Sequence, residues 1–131
     1  MRQRSCSGGI VFDGDRVLLM KTIRLEWIFP KAEVRGSDRA AMVAREAVRS
    51  LAGVETRILD QAGRTSYEHY SISEQRPIRT EVDWFLMLLE GEAGQASFFP
   101  VEEALVRLTY SQEKSLLMFA YQRYCEILPV Q

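Results

Sequence analysis

Apolar and polar positions along the chain alternate in blocks that divide it into strands and helices. Ile10-Val11-Phe12 and Val17-Leu18-Leu19-Met20 are continuous apolar runs on either side of Asp13-Gly14-Asp15. That layout predicts a β-hairpin, Ser5 to Phe12 and Arg16 to Met20, closed by a tight turn. A continuous apolar run suits a strand covered on both faces, and so a sheet inside a layered fold. Gly8-Gly9 within the first strand predicts a bulge, with a close approach by another backbone or a ligand as the alternative.

Trp27 to Asp38 contains Pro30 and Gly36 and predicts a long loop. Asp38 is then placed to cap a helix from about Arg39 to Ala52, with Gly53 at its C-terminal end. Ala40, Val43, Ala44, Ala47, Val48 and Leu51 form one apolar stripe on it, and the small alanines imply close packing on a sheet. Val54 to Leu59, Thr65 to Ile72 and Glu81 to Leu89 predict further strands. Val82-Asp83-Trp84-Phe85-Leu86-Met87-Leu88-Leu89 is the most apolar and the candidate for a central position. Ser73 to Ile78 predicts a loop and Gly91 to Gly94 a turn. Pro100 suits the first turn of a short helix over Val101 to Leu108. Ser111 suits the cap of a last helix, Gln112 to Ile127, which buries Leu116, Leu117, Ala120, Tyr121, Tyr124 and Ile127. Strands interrupted by one central helix and closed by a C-terminal helix predict a mixed β-sheet between helices.

The 131 residues, with no linker or repeat, suit a single domain over residues 1–131. Lys plus Arg is 17 against 18 Asp plus Glu, a net charge of −1. This balance argues against broad electrostatic binding to nucleic acid or membrane and leaves room for a local basic pocket. Cys6 and Cys125 make no disulfide framework, and the basic Met1-Arg2-Gln3-Arg4 leads into no long apolar run. A cytoplasmic protein without signal peptide or membrane span is the expectation.

Between Ala32 and Val54 the chain resembles the Nudix hydrolase superfamily. The signature of that family is Gly, five residues, Glu, seven residues, Arg-Glu, an aliphatic residue, any residue, Glu-Glu, any residue, then Gly and an aliphatic residue. With Gly53-Val54 on the closing pair and no gaps, Ala32 falls on the opening Gly and Asp38 on the first Glu. Glu46 falls on the Arg, Ala47 on its Glu, Val48 on the aliphatic position, and Ser50 and Leu51 on the Glu-Glu pair. The spacing matches and the carboxylates are absent. Shifting the register by one, so that Arg45-Glu46 matches Arg-Glu, puts Arg49 and Ser50 on the metal pair instead. Ser5 to Lys21 is similar to the family's opening hairpin. Trp27-x-Phe29-Pro30-Lys31, Phe99-Pro100-Val101-Glu102-Glu103-Ala104 and Leu108-Thr109-Tyr110 resemble its diadenosine and diphosphoinositol polyphosphate hydrolase branch. The resemblance implies an α/β (α+β) fold, an α/β/α sandwich with a mixed sheet between helices. It also implies a Mg²⁺-dependent pyrophosphohydrolase acting on nucleoside diphosphates linked to another group.

The residues qualify that implication. Residues at i, i+3 and i+4 share a helix face, where three glutamates can hold Mg²⁺ through oxygen. Here the face carries Ala47, Ser50 and Leu51, one hydroxyl and no charge. No catalytic residue, metal ligand or resident cofactor is therefore assigned; Mg²⁺ enters only if hydrolysis persists. Glu33, Asp38 and Glu46 are the carboxylates that could rebuild a metal site. Lys31 resembles a phosphate-contacting lysine of that branch, Arg24 could reach the same anion, and Trp27 could stack on a ring. These three are the candidate ligand-binding residues, for a phosphorylated ligand of nucleotide or inositol polyphosphate type. His69, the single histidine, is an acid–base candidate and more simply a structural strand residue. Glu102-Glu103 suits a helix start. The alternatives to hydrolysis are a non-catalytic sensor of a phosphorylated ligand and a protein-interaction module, homodimeric if the apolar face around Leu51 meets a second copy.

Overall fold

The computed structural model describes residues 2–128, so Met1 of the basic opening and residues 129–131 of the expected single domain lie outside the described residues. Seven strands and three helices follow in the order β1 Arg2–Asp13, β2 Arg16–Lys21, β3 Trp27–Ile28, β4 Lys31–Glu33, α1 Ala40–Ala52, β5 Glu55–Ser71, β6 Arg76–Glu90, β7 Ser97–Pro100, α2 Val101–Arg107 and α3 Ser111–Ile127. The sheet runs β3-β2-β1-β6-β5, with β4 added to β1 and β7 to β2. β1 and β6 are parallel from Arg2 opposite Ile78 to Phe12 opposite Leu88, and the other pairings are antiparallel. The sheet is therefore mixed, as the sequence pattern predicts.

Side-chain alternation along β1 and β6 divides the core into two layers. Ile10, Phe12, Val82, Trp84 and Leu86 pack with α2 and α3, through Ala104, Leu116, Leu117, Ala120 and Tyr124. Val11, Phe85 and Met87 pack on the other face with Ala44 and Val48 of α1. Both faces of the central strands are covered, which explains their unbroken apolar runs. The result is an α/β/α sandwich.

Gly8 and Gly9 carry no bulge: the β1–β6 register is unbroken through them. They serve close approach, one on each face. A Cβ on Gly8 would lie 2.4 Å from the Pro30 carbonyl oxygen and 2.5 Å from the Trp84 ring. One on Gly9 would lie 2.7 Å from the Met87 sulfur and 2.8 Å from Val48 of α1. The bulges fall instead in β5, between Ile58 and Asp60 and between Gln61 and Gly63. They let one 17-residue strand span the two predicted separately, because Asp60-Gln61-Ala62-Gly63 has the composition of a turn but stays in the ladder.

The predicted loop Trp27 to Asp38 contains two short strands. β3 extends β2, with Met20 opposite Ile28, and β4 crosses to β1, with Gly8 opposite Lys31 and Cys6 opposite Glu33. Pro30 sits at the crossing, where its carbonyl accepts the Gly9 N–H at 3.1 Å. Asp38 does not cap α1; Arg39 holds the N-cap position with no side-chain bond. The helix start is tied down by Ser7, whose hydroxyl donates to the Ala40 carbonyl at 2.7 Å. Gly53 ends the helix in the left-handed region, φ 73°, as predicted. β6 begins at Arg76, earlier than predicted, so Arg76 and Pro77 belong to a strand and not to a loop. Pro77 pairs at the end of the ladder, where a missing donor costs little. Ser97–Pro100 forms an edge strand on β2, and Pro100 is the N-cap of α2 rather than its first turn. α3 starts at Ser111 with Tyr110 at the cap. Its buried residues include Glu113, which the apolar stripe did not predict, while Tyr121 and Ile127 are only half-buried.

Candidate functional site

β1 pairs with β2 only at Phe12 and Asp13, and with β4 only from Cys6 to Gly8. β2 and β3 therefore diverge from β1 and β4, and two adjoining hollows open where they separate. The first is a groove of about 230 Å³ walled by Arg4, Cys6, Met20, Lys31, Glu33 and Leu51. The second is a cleft of about 660 Å³ between β5, β6 and the start of α3, walled by Glu26, Lys31, Tyr67, Trp84, Tyr110 and Glu113. Ile28 and Lys31 belong to both.

Lys31 is half-buried on β4 and is the junction of the two hollows. Arg4 joins it from β1, and both positive charges act on the Cys6 thiol. Burial outweighs them and pushes the Cys6 thiol up, so it stays protonated. Glu33 of the same groove pairs with Arg35 at 3.3 Å.

The cleft is built on well-anchored side chains. The Trp84 indole N–H donates to Thr65 Oγ1 at 2.9 Å, and its ring meets Phe29 edge-on at 5.8 Å. The Gln112 side chain donates to the Ser66 carbonyl at 2.9 Å and accepts the Ser66 N–H at 3.2 Å, fixing α3 to β5 across the far wall. The Tyr110 hydroxyl donates to Glu26 at the mouth, and that bond raises its pKa. Glu113 forms the floor. It is 8 % exposed, and burial pushes its carboxyl up to about 7, against the pull of Lys31 and the Phe29 backbone N–H. Its Oε1 has no hydrogen-bond partner. Among the described residues only Arg4 Nε and Thr80 Oγ1 share that condition, and these face each other across the β1–β6 ladder. A buried unsatisfied polar atom costs about 1–3 kcal/mol.

This cost has a pH signature. The folded carboxyl titrates near 7 against a usual 4.5, so its favourable protonated state is complete below pH 4.5 and lost as pH rises through 7. Relative to wild type, Glu113→Gln is expected to gain up to about 3 kcal/mol between pH 4.5 and 8. Denaturant unfolding at both pH values measures this, and an identical difference at the two would refute a desolvated carboxyl.

The structure brings Lys31 into the site and leaves Arg24 and Trp27 outside its walls. Arg24 is exposed on the turn before β3, close enough to Tyr110 for its charge to act on that hydroxyl. Trp27 packs edge-on against Phe99 at 5.2 Å, with Lys21 at 5.7 Å and Arg107 at 5.4 Å from its ring centre. Its backbone N–H donates to Thr109 Oγ1 at 2.9 Å, which joins β3 to the end of α2. His69 is exposed on β5 beside Tyr67. Glu103 pairs with Arg107 within α2. Arg4 and Glu113 are absent from the sequence-based candidates. Each carried a signal: Arg4 shares a strand face with Cys6, Gly8 and Ile10, and Glu113 is a charge at a stripe position three and four residues before Leu116 and Leu117.

The donor set on α1 does not fit Mg²⁺. Ala47 is buried as a methyl group, and Ser50 and Leu51 are exposed. Glu46 pairs with Arg49 at 3.6 Å, which also pairs with Glu55 at 3.2 Å, and Asp38 is exposed ahead of the helix. Among the described residues no three His, Cys, Asp or Glu side chains gather in a group that could hold a cation.

No family model matches the chain, and no curated protein matches it in sequence. Solved structures do. The Ap4A hydrolase of C. elegans superposes with a TM-score of 0.70 at 18% identity, over 95% of this chain and 98% of that one. A MutT protein from Bacillus halodurans gives 0.71 at 18% identity, over 88% and 80%. A NUDIX hydrolase from Nitrosomonas europaea gives 0.70 at 10% identity, over 93% and 90%. The chain therefore has the fold of the Nudix hydrolases. Among the described residues, no helix is long and apolar enough to cross a membrane.

Proposed function

We propose that this protein binds a phosphorylated small molecule of nucleotide type on a Nudix scaffold and does not hydrolyse it by the metal-dependent route. One observation carries the reading. Leu51, on a position where the Nudix signature has a metal-holding glutamate, walls the same groove as Arg4 and Lys31. Two cationic side chains thus line the groove that this substituted position also walls. Guanidinium and ammonium groups hold phosphate oxygens through charge-assisted hydrogen bonds and need no metal. The cleft beside the groove is large enough for a ring system, and the Ap4A hydrolase and MutT folds support a nucleotide over an unrelated phosphate ester.

Calorimetric titration with nucleoside diphosphates, diadenosine polyphosphates and inositol pyrophosphates in chelator tests the reading. Binding is expected without added metal. Lys31→Ala and Arg4→Gln are each expected to weaken it by about tenfold or more, the worth of one charged hydrogen bond. Arg24→Ala, outside the walls, is expected to have a smaller effect. Absence of binding across the panel, or binding only with Mg²⁺ present, would overturn it.

A further inference from the structure

We infer that the open end of the β5–β6 hairpin is a self-association contact, where two copies of this chain join β5 to β5, antiparallel, about a two-fold axis at His69. β5 ends the sheet order, so one of its edges has no strand beside it. That edge is closed at Ser66, whose N–H and carbonyl are both held by the Gln112 side chain of α3. Main-chain groups on one edge belong to alternate residues, so Glu68 and Tyr70 face the same way as Ser66. Pro77 agrees with this phase: it stands opposite Tyr70 in the ladder and has no N–H to give it. Glu68 and Tyr70 are both exposed, and beyond Ser66 no side-chain clamp closes the edge among the described residues. Native proteins normally blunt such an edge, because it is a template for another strand. Tyr70 and the turn residue Ile72 are 63% and 86% exposed beside it.

A second copy fits this edge in one register. Glu68 set against Tyr70 of the other copy, and Tyr70 against its Glu68, exchange four main-chain hydrogen bonds and bring His69 opposite His69. A slide of two residues toward Ser66 meets the Gln112 clamp and opposes Glu68 to Glu68, two like charges. A slide the other way runs into the turn at 72–75. In the register that remains, each Glu68 keeps Arg79 of its own β6 opposite it. The neighbouring face gains an aromatic row. The Tyr67 and His69 rings lie 5.8 Å apart, both exposed, and opposed residues that exchange no bonds have the closest side chains. The row therefore continues through the second His69 to the second Tyr67. Each body lies on the Ser66 side of its hairpin, and the axis puts those sides at opposite ends, so the two bodies do not collide. The surface is its own complement, as a two-fold contact requires. It is smaller than the roughly 800 Å² per partner of a standard interface, so a Kd of about 0.1 mM is expected.

Sedimentation equilibrium from about 10 µM to about 1 mM is expected to show a monomer–dimer equilibrium, with dimer predominant at the top. Tyr70→Pro removes an outward N–H from each copy and leaves the β5–β6 ladder bonds in place. It is expected to weaken association at least about tenfold, with little change in the melting of the dilute protein. Cysteine pairs test the register in a Cys125→Ser background. His69→Cys is expected to cross-link two copies under mild oxidation, because residues so opposed have Cα atoms about 4.5 Å apart. Tyr67→Cys alone is expected not to cross-link, whereas Tyr67→Cys combined with Ser71→Cys is, since those positions oppose each other. A chain still monomeric at about 1 mM, or a dimer that Tyr70→Pro leaves intact, would overturn the inference. So would equal cross-linking of the two single variants, a comparison that decides even where Tyr70→Pro does not fold.

Discussion

Given Mg²⁺ or Mn²⁺ and a panel of nucleotide and inositol pyrophosphates, the protein is expected to turn over no faster than about 10⁻² s⁻¹. Typical enzymes work at about 10 s⁻¹, so this is a deficit of roughly three decades. The expectation follows from what stands on α1. A hydrolytic mechanism of the resembled kind requires cations to neutralise the pyrophosphate and to activate water. Removing one preorganised stabilising group of that sort costs about 3 kcal/mol, and here a methyl, a hydroxyl and an isobutyl group replace three of them. The remaining carboxylates do not converge: Glu46 is engaged by Arg49 and Glu33 by Arg35. Continuous phosphate-release assays with and without chelator measure the rate. Turnover near 1 s⁻¹ that chelation abolishes would refute the reading and require carboxylates to gather from outside the helix face.

Gly8→Ala is expected to be the most damaging single methyl group in the chain. The added carbon would sit 2.4 Å from the Pro30 carbonyl oxygen and 2.9 Å from the Lys31 Cβ, both close to rigid backbone, and 2.5 Å from a Trp84 ring packed on all sides. Overpacking of this kind costs about 1–3 kcal/mol, and the upper end applies where nothing can yield. For a domain of this size that is a fall of about 10 °C in Tm. β4 carries Lys31 against Gly8, so displaced backbone would also loosen ligand binding. Calorimetric melting of the variant measures the first effect and titration the second. A Tm within 2 °C of wild type would show that β4 is not pressed on β1.

The two-layer fold was legible because its central strands are unbroken apolar runs and α1 has a clean small-residue stripe. The irregular parts were not. Asp60-Gln61-Ala62-Gly63 looks like a turn, and only the ladder to β6 holds it extended; such tertiary pairing leaves no local trace. Trp27 to Asp38 looks like a loop because β3 and β4 are two and three residues long and pair with different strands. At the site, Lys31 was found through its Phe-Pro-Lys setting. Arg4 reads in the sequence as part of a basic opening, and Glu113 lies in the last helix outside the apolar stripe. Both needed the sheet face and the helix stripe to be read together. Trp27 invited a stacking role, yet its ring is held by Phe99 and two cations.

The parallel alignment of β1 with β6 joins the first strand to one near residue 80 over its whole length. Neighbours so far apart along the chain meet only after a long segment has been closed, at a considerable loss of chain entropy. Folding should accordingly be slow, on the millisecond-to-second scale of topologies dominated by distant pairings. During synthesis the amino-terminal strand can meet β2 and β4 early, yet its longest ladder must wait until β6 has left the ribosome.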